Sequence, residues 1–281
     1  MTIVATIVLA EAPARALAAA LDDDGLLWAN AFDLSEAAPE KWQVAVYFQA
    51  EPGSEERAAL ARLGAFAFAP LPEEDWVAKS LAGLAPVRAG PFLVHGSHDR
   101  AKVRANDIGI EIEAGLAFGT GHHGTTAGCL LAIDGDARAR PIRNALDVGT
   151  GSGVLAIALA KRAKARVMAS DIDAVATQVA RDNVRLNGVS RRVHTLTAAG
   201  LNHAAIEAAA PYDLIVANIL AGPLVALAPA IRRHLAAQGT VILSGLLLDQ
   251  ERRVAAMYRS VGLTRERVLH MGEWATLVLR G

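Results

Sequence analysis

Asp147, Gly149, Gly151, Gly153 and Asp171 are the residues whose types and spacing point to chemistry. In Asn144-Ala-Leu-Asp-Val-Gly-Thr-Gly-Ser-Gly153 a short apolar strand runs into a three-glycine turn, and an apolar helix pattern from Val154 to Ala160 follows at once. Glycines permit positive φ and let a ligand lie against bare backbone. A dinucleotide loop would read G-x-G-x-x-G, with a pyrophosphate at the helix N-terminus. Here the spacing is G-x-G-x-G, and Asp147 stands two residues before the first glycine. A carboxylate in that pocket repels pyrophosphate and pairs with an ammonium or sulfonium group, which favours S-adenosylmethionine over NAD as the cofactor. Asp171 ends the next strand pattern, Val167-Met-Ala-Ser-Asp171, 22 residues after Gly149. An acid at about 20 residues past such a loop can accept both ribose hydroxyls.

Further candidates lie in two other stretches. Ala117-Phe-Gly-Thr-Gly-His-His-Gly-Thr-Thr126 reads as a loop able to close over a ligand, with Phe118 as a lid. Thr125 is expected to cap the helix that follows and Thr126 to reach a bound carboxylate. His122 and His123 invite a general-base role, although loop histidines are more often structural. Asn218 follows another strand, Asp213 to Ala217, at the same end of the sheet as the glycine turn. His95 and His98 lack a third ligand at useful spacing, so no metal site is expected. Cys129, the single cysteine, lies in an apolar helix pattern and reads as buried filler.

These residues need a scaffold, and the chain order supplies one. Residues 1–70 alternate as β-α-β-β-α-β, with strands at Thr2 to Ala10, Leu26 to Phe32, Trp42 to Gln49 and Ala65 to Ala69. That order is the split-βαβ, ferredoxin-like arrangement, a small α+β domain. It has no His and no glycine loop, and it reads as a recognition module. Residues 71–100 form a joint, helical from Glu73 to Leu84 and extended from Pro86 to His95. Ile108 to Glu113 reads as an edge strand of the second domain, 101–281. Strands and helices then alternate to a closing pair, Thr264 to His270 and Glu273 to Leu279, joined as a hairpin through Met271-Gly272. The fold class is therefore α/β: a Rossmann-like, doubly wound, mostly parallel sheet with an antiparallel C-terminal hairpin. Ligands in such sheets sit at the carboxyl ends of the strands, where Gly149, Asp171 and Asn218 all fall.

Bulk properties exclude several classes. At 281 residues the chain suits one large domain or two modest ones. Its 53% hydrophobic fraction is inflated by alanine, and no apolar run approaches a membrane span. No basic residue precedes the Ile3 to Ala10 run, so it reads as a strand and not a signal peptide, and one cysteine suits the cytoplasm. A net charge of −1 argues against direct nucleic-acid binding. Its distribution is uneven: residues 1–70 carry net −6 and the remainder net +5, so the first domain suits a basic partner.

Tyr212-Asp-Leu-Ile-Val-Ala-Asn-Ile-Leu-Ala-Gly-Pro-Leu224, with Ala117 to Thr126 and the Asp147 turn, closely resembles the bacterial ribosomal protein L11 methyltransferase family. The resemblance spans both domains and extends to Glu74 to Trp76, Leu243-Ser-Gly-Leu246 with Gln250, and Glu273-Trp274. It implies a class I methyltransferase fold and S-adenosylmethionine contacts at Thr126, Gly149, Asp171 and Asn218; Asp147, Gly151 and Phe118 join that cofactor set from the residues themselves. Asn218 would be catalytic. The family commonly shows Thr-His-Pro-Thr-Thr where this chain has His122-His-Gly-Thr-Thr126, and loss of that proline is expected to loosen the lid. The resemblance further implies N-methylation of lysine side chains and the N-terminal α-amine of ribosomal protein L11, by an enzyme expected to be a monomer.

Methyl transfer to an amine is an in-line displacement that needs a neutral nitrogen. An unperturbed lysine has a pKa of about 10.4, which desolvation near a sulfonium lowers. Asn218 is expected to orient the amine while water takes the proton. Three alternatives differ in class. A lysine methyltransferase of the same lineage would act on the electron-transfer flavoprotein β-subunit, which should need a different docking module. A nicotinamide oxidoreductase would bind NAD. A ribosome-associated module with a decayed site would bind neither cofactor.

Overall fold

A computed structural model of the chain describes residues 3–23, 31–38, 40–48, 50–70, 86–112 and 123–281. The expected helix from Glu73 to Leu84, and Phe118 with the rest of residues 113–122, lie outside the described residues. Contacts divide the chain into two compact units, Met1–Asp75 and Trp76–Gly281.

The first unit runs β1 (Ile3–Leu9), α1 (Glu11–Asp23), β2 (Ala31–Ala38), β3 (Lys41–Phe48), α2 (Ser54–Leu63), β4 (Ala67–Pro70). Its antiparallel sheet has the order β2-β3-β1-β4, the split-βαβ topology. Alternation sets the buried face: Ile3 and Ala5 of β1, with Val44, Val46 and Phe48 of β3, pack against Leu17 and Leu21 of α1 and Leu60 of α2. The second strand extends past the Phe32 that the sequence suggests as its end, and residues 26–30 of that expectation lie outside the described residues. Pairing of Phe32 with Val46 and Leu34 with Val44 fixes it at Ala31–Ala38, and Glu40 at φ 62° turns the chain into β3. The polar Asp33-Leu-Ser-Glu36 stretch hides that strand from a hydrophobicity reading.

The second unit opens with β5 (Val87–Ala89), β6 (Phe92–His95), a 3-10 turn (Ser97–Lys102) and β7 (Ile108–Glu111). These three strands form a sheet of their own in the order β5-β6-β7, with β7 at its edge. Part-buried polar contacts hold it there. Lys161 Nζ donates to Gly109 O at 2.6 Å, and Asn187 Nδ2 donates to Glu111 O at 2.6 Å.

The remaining elements are α3 (His123–Ala139), β8 (Asn144–Val148), α4 (Val154–Arg162), β9 (Arg166–Asp171), α5 (Ala174–Leu186), β10 (Val193–Thr197), α6 (Ala204–Ala209), β11 (Tyr212–Asn218), α7 (Ala221–His234), β12 (Leu235–Leu247), α8 (Glu251–Ser260), β13 (Thr264–Met271) and β14 (Trp274–Arg280). The seven-stranded sheet has the order β10-β9-β8-β11-β12-β14-β13. Only β14 runs antiparallel, between β12 and β13, as the closing hairpin requires. The strand interiors are near-continuous apolar runs because helices cover both faces. α4 is apolar around its whole circumference, and Val154 to Ala160 are all buried. Burying each of its larger aliphatic side chains contributes about 1.5–3 kcal/mol.

The chain winds outward from β8 through β9 to β10, then returns to place β11 on the other side of β8. That reversal is a topological switch point, and the crevice beyond the carboxyl ends of β8 and β11 is where such sheets bind ligands.

Candidate functional site

Parallel register brings the ends of four strands level. Asp147 pairs with Ala169 of β9 and Val216 of β11, and Asn218 with Ser244 of β12. From Val148 the chain enters the glycine turn with Gly149 at φ +70° and Gly151 at φ +53°. This left-handed region is strained for any other residue. Gly149 N and Thr150 N both donate to Ser170 O, at 2.8 and 2.9 Å, and tie the turn to the end of β9. Gly151 N donates to Asp171 Oδ2 at 2.9 Å and Asp173 N to Asp171 Oδ1 at 3.1 Å. A carboxylate accepts about four hydrogen bonds, so the partly exposed Asp171 retains capacity for two hydroxyls.

Gly149 serves a second purpose. A Cβ there would stand 2.3 Å from Ile219 Cγ2, and one at Gly245 would stand 2.4 Å from Ile219 O. Gly149 of the turn and Gly245 of β12 thus grip Ile219 and fix the turn that carries Asn218. Ile219 N adds a hydrogen bond to Ser244 O at 3.2 Å.

Asp147 lies beneath the turn, 1% exposed. Its Oδ2 accepts the Thr150 hydroxyl at 2.7 Å and Ala156 N at 3.0 Å, while Oδ1 has no partner. Burial pushes its pKa up to about 7 against the pull of the Thr150 and Ala156 hydrogen bonds, and the charge of Asp171 adds to the rise. A buried carboxylate with an orphaned oxygen is a site for a cation. Asn218 has the same character: Nδ2 donates to Thr125 Oγ1 at 3.3 Å and the buried Oδ1 has no partner.

Thr125 does not cap the helix. α3 begins at His123, so Thr125 stands inside the first turn, fully buried, with the buried Thr126 beside it. Gly124, at the position of the family's proline, packs on the closing hairpin: a Cβ would lie 2.9 Å from Trp274 Cδ1 and 3.0 Å from Met271 O. His122 lies outside the described residues, as does the side chain of His123. His95 Nδ1 donates to Gly96 O at 2.8 Å, and among the described residues no three His, Cys, Asp or Glu side chains gather as a metal site. Burial raises the pKa of the Cys129 thiol, which suits packing and not nucleophilic chemistry.

The sequence reading missed Thr150, Thr125 as the partner of Asn218, and the Gly149–Ile219–Gly245 grip. A hydroxyl three residues after Asp147 was the visible signal for the first. The other two join residues far apart in the chain and leave no local trace.

A buried carboxylate oxygen and a buried carboxamide oxygen, both without partners, and the partly exposed Asp171 carboxylate therefore gather at the carboxyl ends of β8, β9 and β11. They fit an adenosyl sulfonium with its ribose and amino acid: Asp171 for hydroxyls, Asp147 for positive charge, bare glycine backbone for close approach. Residues 8–281 match the family described as ribosomal protein L11 methyltransferase (PrmA). A ribosomal protein L11 methyltransferase of Rhizobium leguminosarum bv. trifolii is 53% identical over 243 residues, 84% of this chain and 83% of the relative. One of Brucella suis is 51% identical over 241 residues, 85% of each chain. The crystal structure of ribosomal protein L11 methylase from Lactobacillus delbrueckii subsp. bulgaricus superposes with a TM-score of 0.62 at 28% identity, covering 70% of this chain and 97% of that one.

Proposed function

The chain belongs to the ribosomal protein L11 methyltransferase family, and from this premise we propose how its residues divide the work and which groups they methylate. Its activity is S-adenosylmethionine-dependent methylation of ribosomal protein L11. The relatives compared are named for that substrate and lend no support to the flavoprotein alternative. The acceptors are lysine side chains and the N-terminal α-amine. The absence of an aromatic platform after Asn218, where Ile219-Leu220 follow, suits an aliphatic amine better than a flat amide.

Bound S-adenosylmethionine supplies a methyl group already activated on sulfonium, so the protein chiefly aligns and desolvates. Asp171 holds the ribose hydroxyls, Asp147 the positive end of the methionine portion, and Thr126 its carboxylate. Asn218 Oδ1 accepts one N–H of the incoming amine and turns its lone pair toward the crevice. Apolar walls at Ile219 and Leu220 favour the uncharged amine, and water takes the released proton. Residues 1–70, with net charge −6, hold the basic acceptor protein. No helix among the described residues is long and apolar enough to cross a membrane, and the reaction is assigned to the cytoplasm, where ribosomal proteins are made. The proposed form of the enzyme is a monomer.

The observation that carries this reading is the buried, unpartnered Oδ1 of Asn218 at the switch point. Mass spectrometry of purified ribosomal protein L11 incubated with the enzyme and labelled S-adenosylmethionine tests it. Methylated amines are expected with the native chain, and about a hundredfold slower labelling with Asn218→Ala at saturating cofactor. Native turnover in that variant would remove Asn218 from the mechanism.

A further inference from the structure

The amino ends of β8, β9 and β10 lie opposite the crevice, and each strand starts at an arginine. Arg143 precedes β8, Arg166 begins β9 and Arg192 precedes β10. Backbone hydrogen bonds set them side by side: Arg166 N donates to Arg143 O and Val167 N to Arg192 O, both at 2.8 Å. Neighbouring strands are about 4.8 Å apart, so three guanidinium stems are rooted within roughly 10 Å. All three side chains are exposed, as are those of Lys164 and Arg191 between them.

Helix dipoles do not account for this row. The cations at the helix ends are already engaged: Lys161 with Gly109 O and Asn187, Arg162 with Asp134, Arg185 with Asp182. Arg143, Arg166 and Arg191 sit on strand starts and loops, and their side chains have no hydrogen-bond or ion-pair partner among the described residues. Arg192 spends one donor on Lys164 O and keeps the rest. Asp213 Oδ2 accepts the backbone amides of Arg143 and Asn144, at 2.8 and 3.0 Å, and forms no ion pair with the Arg143 guanidinium. Beside Arg192, at the start of β10, is a cavity of about 270 Å³ whose lining includes Arg181, Arg185, Ser190, Val193 and His194. Arg181 bonds Thr195 Oγ1 and Gln178 Oε1 there, neither of them an acid.

We propose that this row and its cavity form a docking surface for RNA, with Arg143, Arg166 and Arg192 taking successive backbone phosphates and the cavity receiving a phosphate or an unstacked base. Several exposed guanidinium groups without counter-ions, aligned across a rigid sheet, match a chain of phosphates and bind it by counterion release. The choice of RNA among polyanions rests on the acceptor being a ribosomal protein; the arginine row does not. Its position on the far side of the sheet leaves the crevice open, so RNA contact and methyl transfer are compatible. A net charge of −1 conceals the row, because the acids that balance it lie elsewhere in the chain.

The test uses the full chain, a short fluorescein-labelled RNA stem-loop and labelled poly-glutamate of matched charge, read by fluorescence anisotropy across a salt series. The native chain is expected to bind the RNA with a Kd of about 10⁻⁴–10⁻⁶ M. The triple variant Arg143→Gln, Arg166→Gln, Arg192→Gln is expected to bind at least about tenfold more weakly, with a salt slope smaller by roughly three. Its melting temperature and its methylation of free L11 serve as fold controls and are expected to be native. A variant that fails them is replaced by Arg166→Gln alone, expected to lower the slope by about one. Undetectable RNA binding at low salt, an unchanged slope in the variant, or poly-glutamate bound as tightly as RNA each overturns the proposal. None of these outcomes touches methyl transfer, which is scored separately.

Discussion

Asn218 Nδ2 donates to the Thr125 hydroxyl at 3.3 Å, and this contact sets which end of the carboxamide is left without a partner. With the amino group held, Oδ1 is left as the free acceptor. Thr125→Val keeps the shape of the side chain and removes that anchor. A typical hydrogen bond contributes about 0.5–1.5 kcal/mol, so kcat is expected to fall roughly two- to tenfold, with the KM for L11 unchanged and Thr125→Ser restoring the rate. A change in KM alone would show that Thr125 serves packing.

Asp147 gives the enzyme a pH dependence with a defined sign. Its folded pKa of about 7 lies above the unfolded value of 3.8, so its contribution to stability is complete only below 3.8 and is lost as pH rises from there through about 7. A bound cation favours the ionised form. S-adenosylmethionine affinity is therefore expected to strengthen between about pH 6 and 8, with proton release on binding. Calorimetric titration of Asp147→Asn should give a flatter profile across that range. Parallel profiles would mean that another group titrates.

The contact of Gly149 with Ile219 predicts non-additive stabilities. Gly149→Ala meets both a positive φ, at about 1–2 kcal/mol, and overpacking against Ile219 Cγ2, at about 1–3 kcal/mol. Ile219→Ala in the same chain relieves only the second. Chemical denaturation of the two single variants and the double should show the double more stable than their sum by about 1–3 kcal/mol. Simple additivity would indicate that the loop yields without cost.

Charge on the first unit should act on the acceptor and not on the cofactor. Glu40 and Glu55 are exposed there. The double variant Glu40→Lys, Glu55→Lys is expected to raise the KM for L11 severalfold at low ionic strength, with the difference shrinking as salt is added. Affinity for S-adenosylmethionine should not move. An unaffected KM would assign the docking of L11 to other surfaces.

Much of this enzyme is local in character and so is legible in the chain itself. Turn chemistry and hydrophobic period mark the glycine loop between β8 and α4, the closing hairpin at Met271-Gly272 and the alternation of strands with helices, because each depends on neighbours within a few residues. The same locality assigns Asp147 and Asp171 to strand ends and Asn218 to the end of β11. Where pairing outweighs pattern, the sequence misleads: β2 reaches into a polar stretch because β3 sets its register. Tertiary structure alone decides that Thr125 meets Asn218, that Gly149 and Gly245 close on Ile219, and that Arg143, Arg166 and Arg192 form one row. Each of these joins residues distant in the chain through sheet register and close packing, and no window of sequence contains both partners.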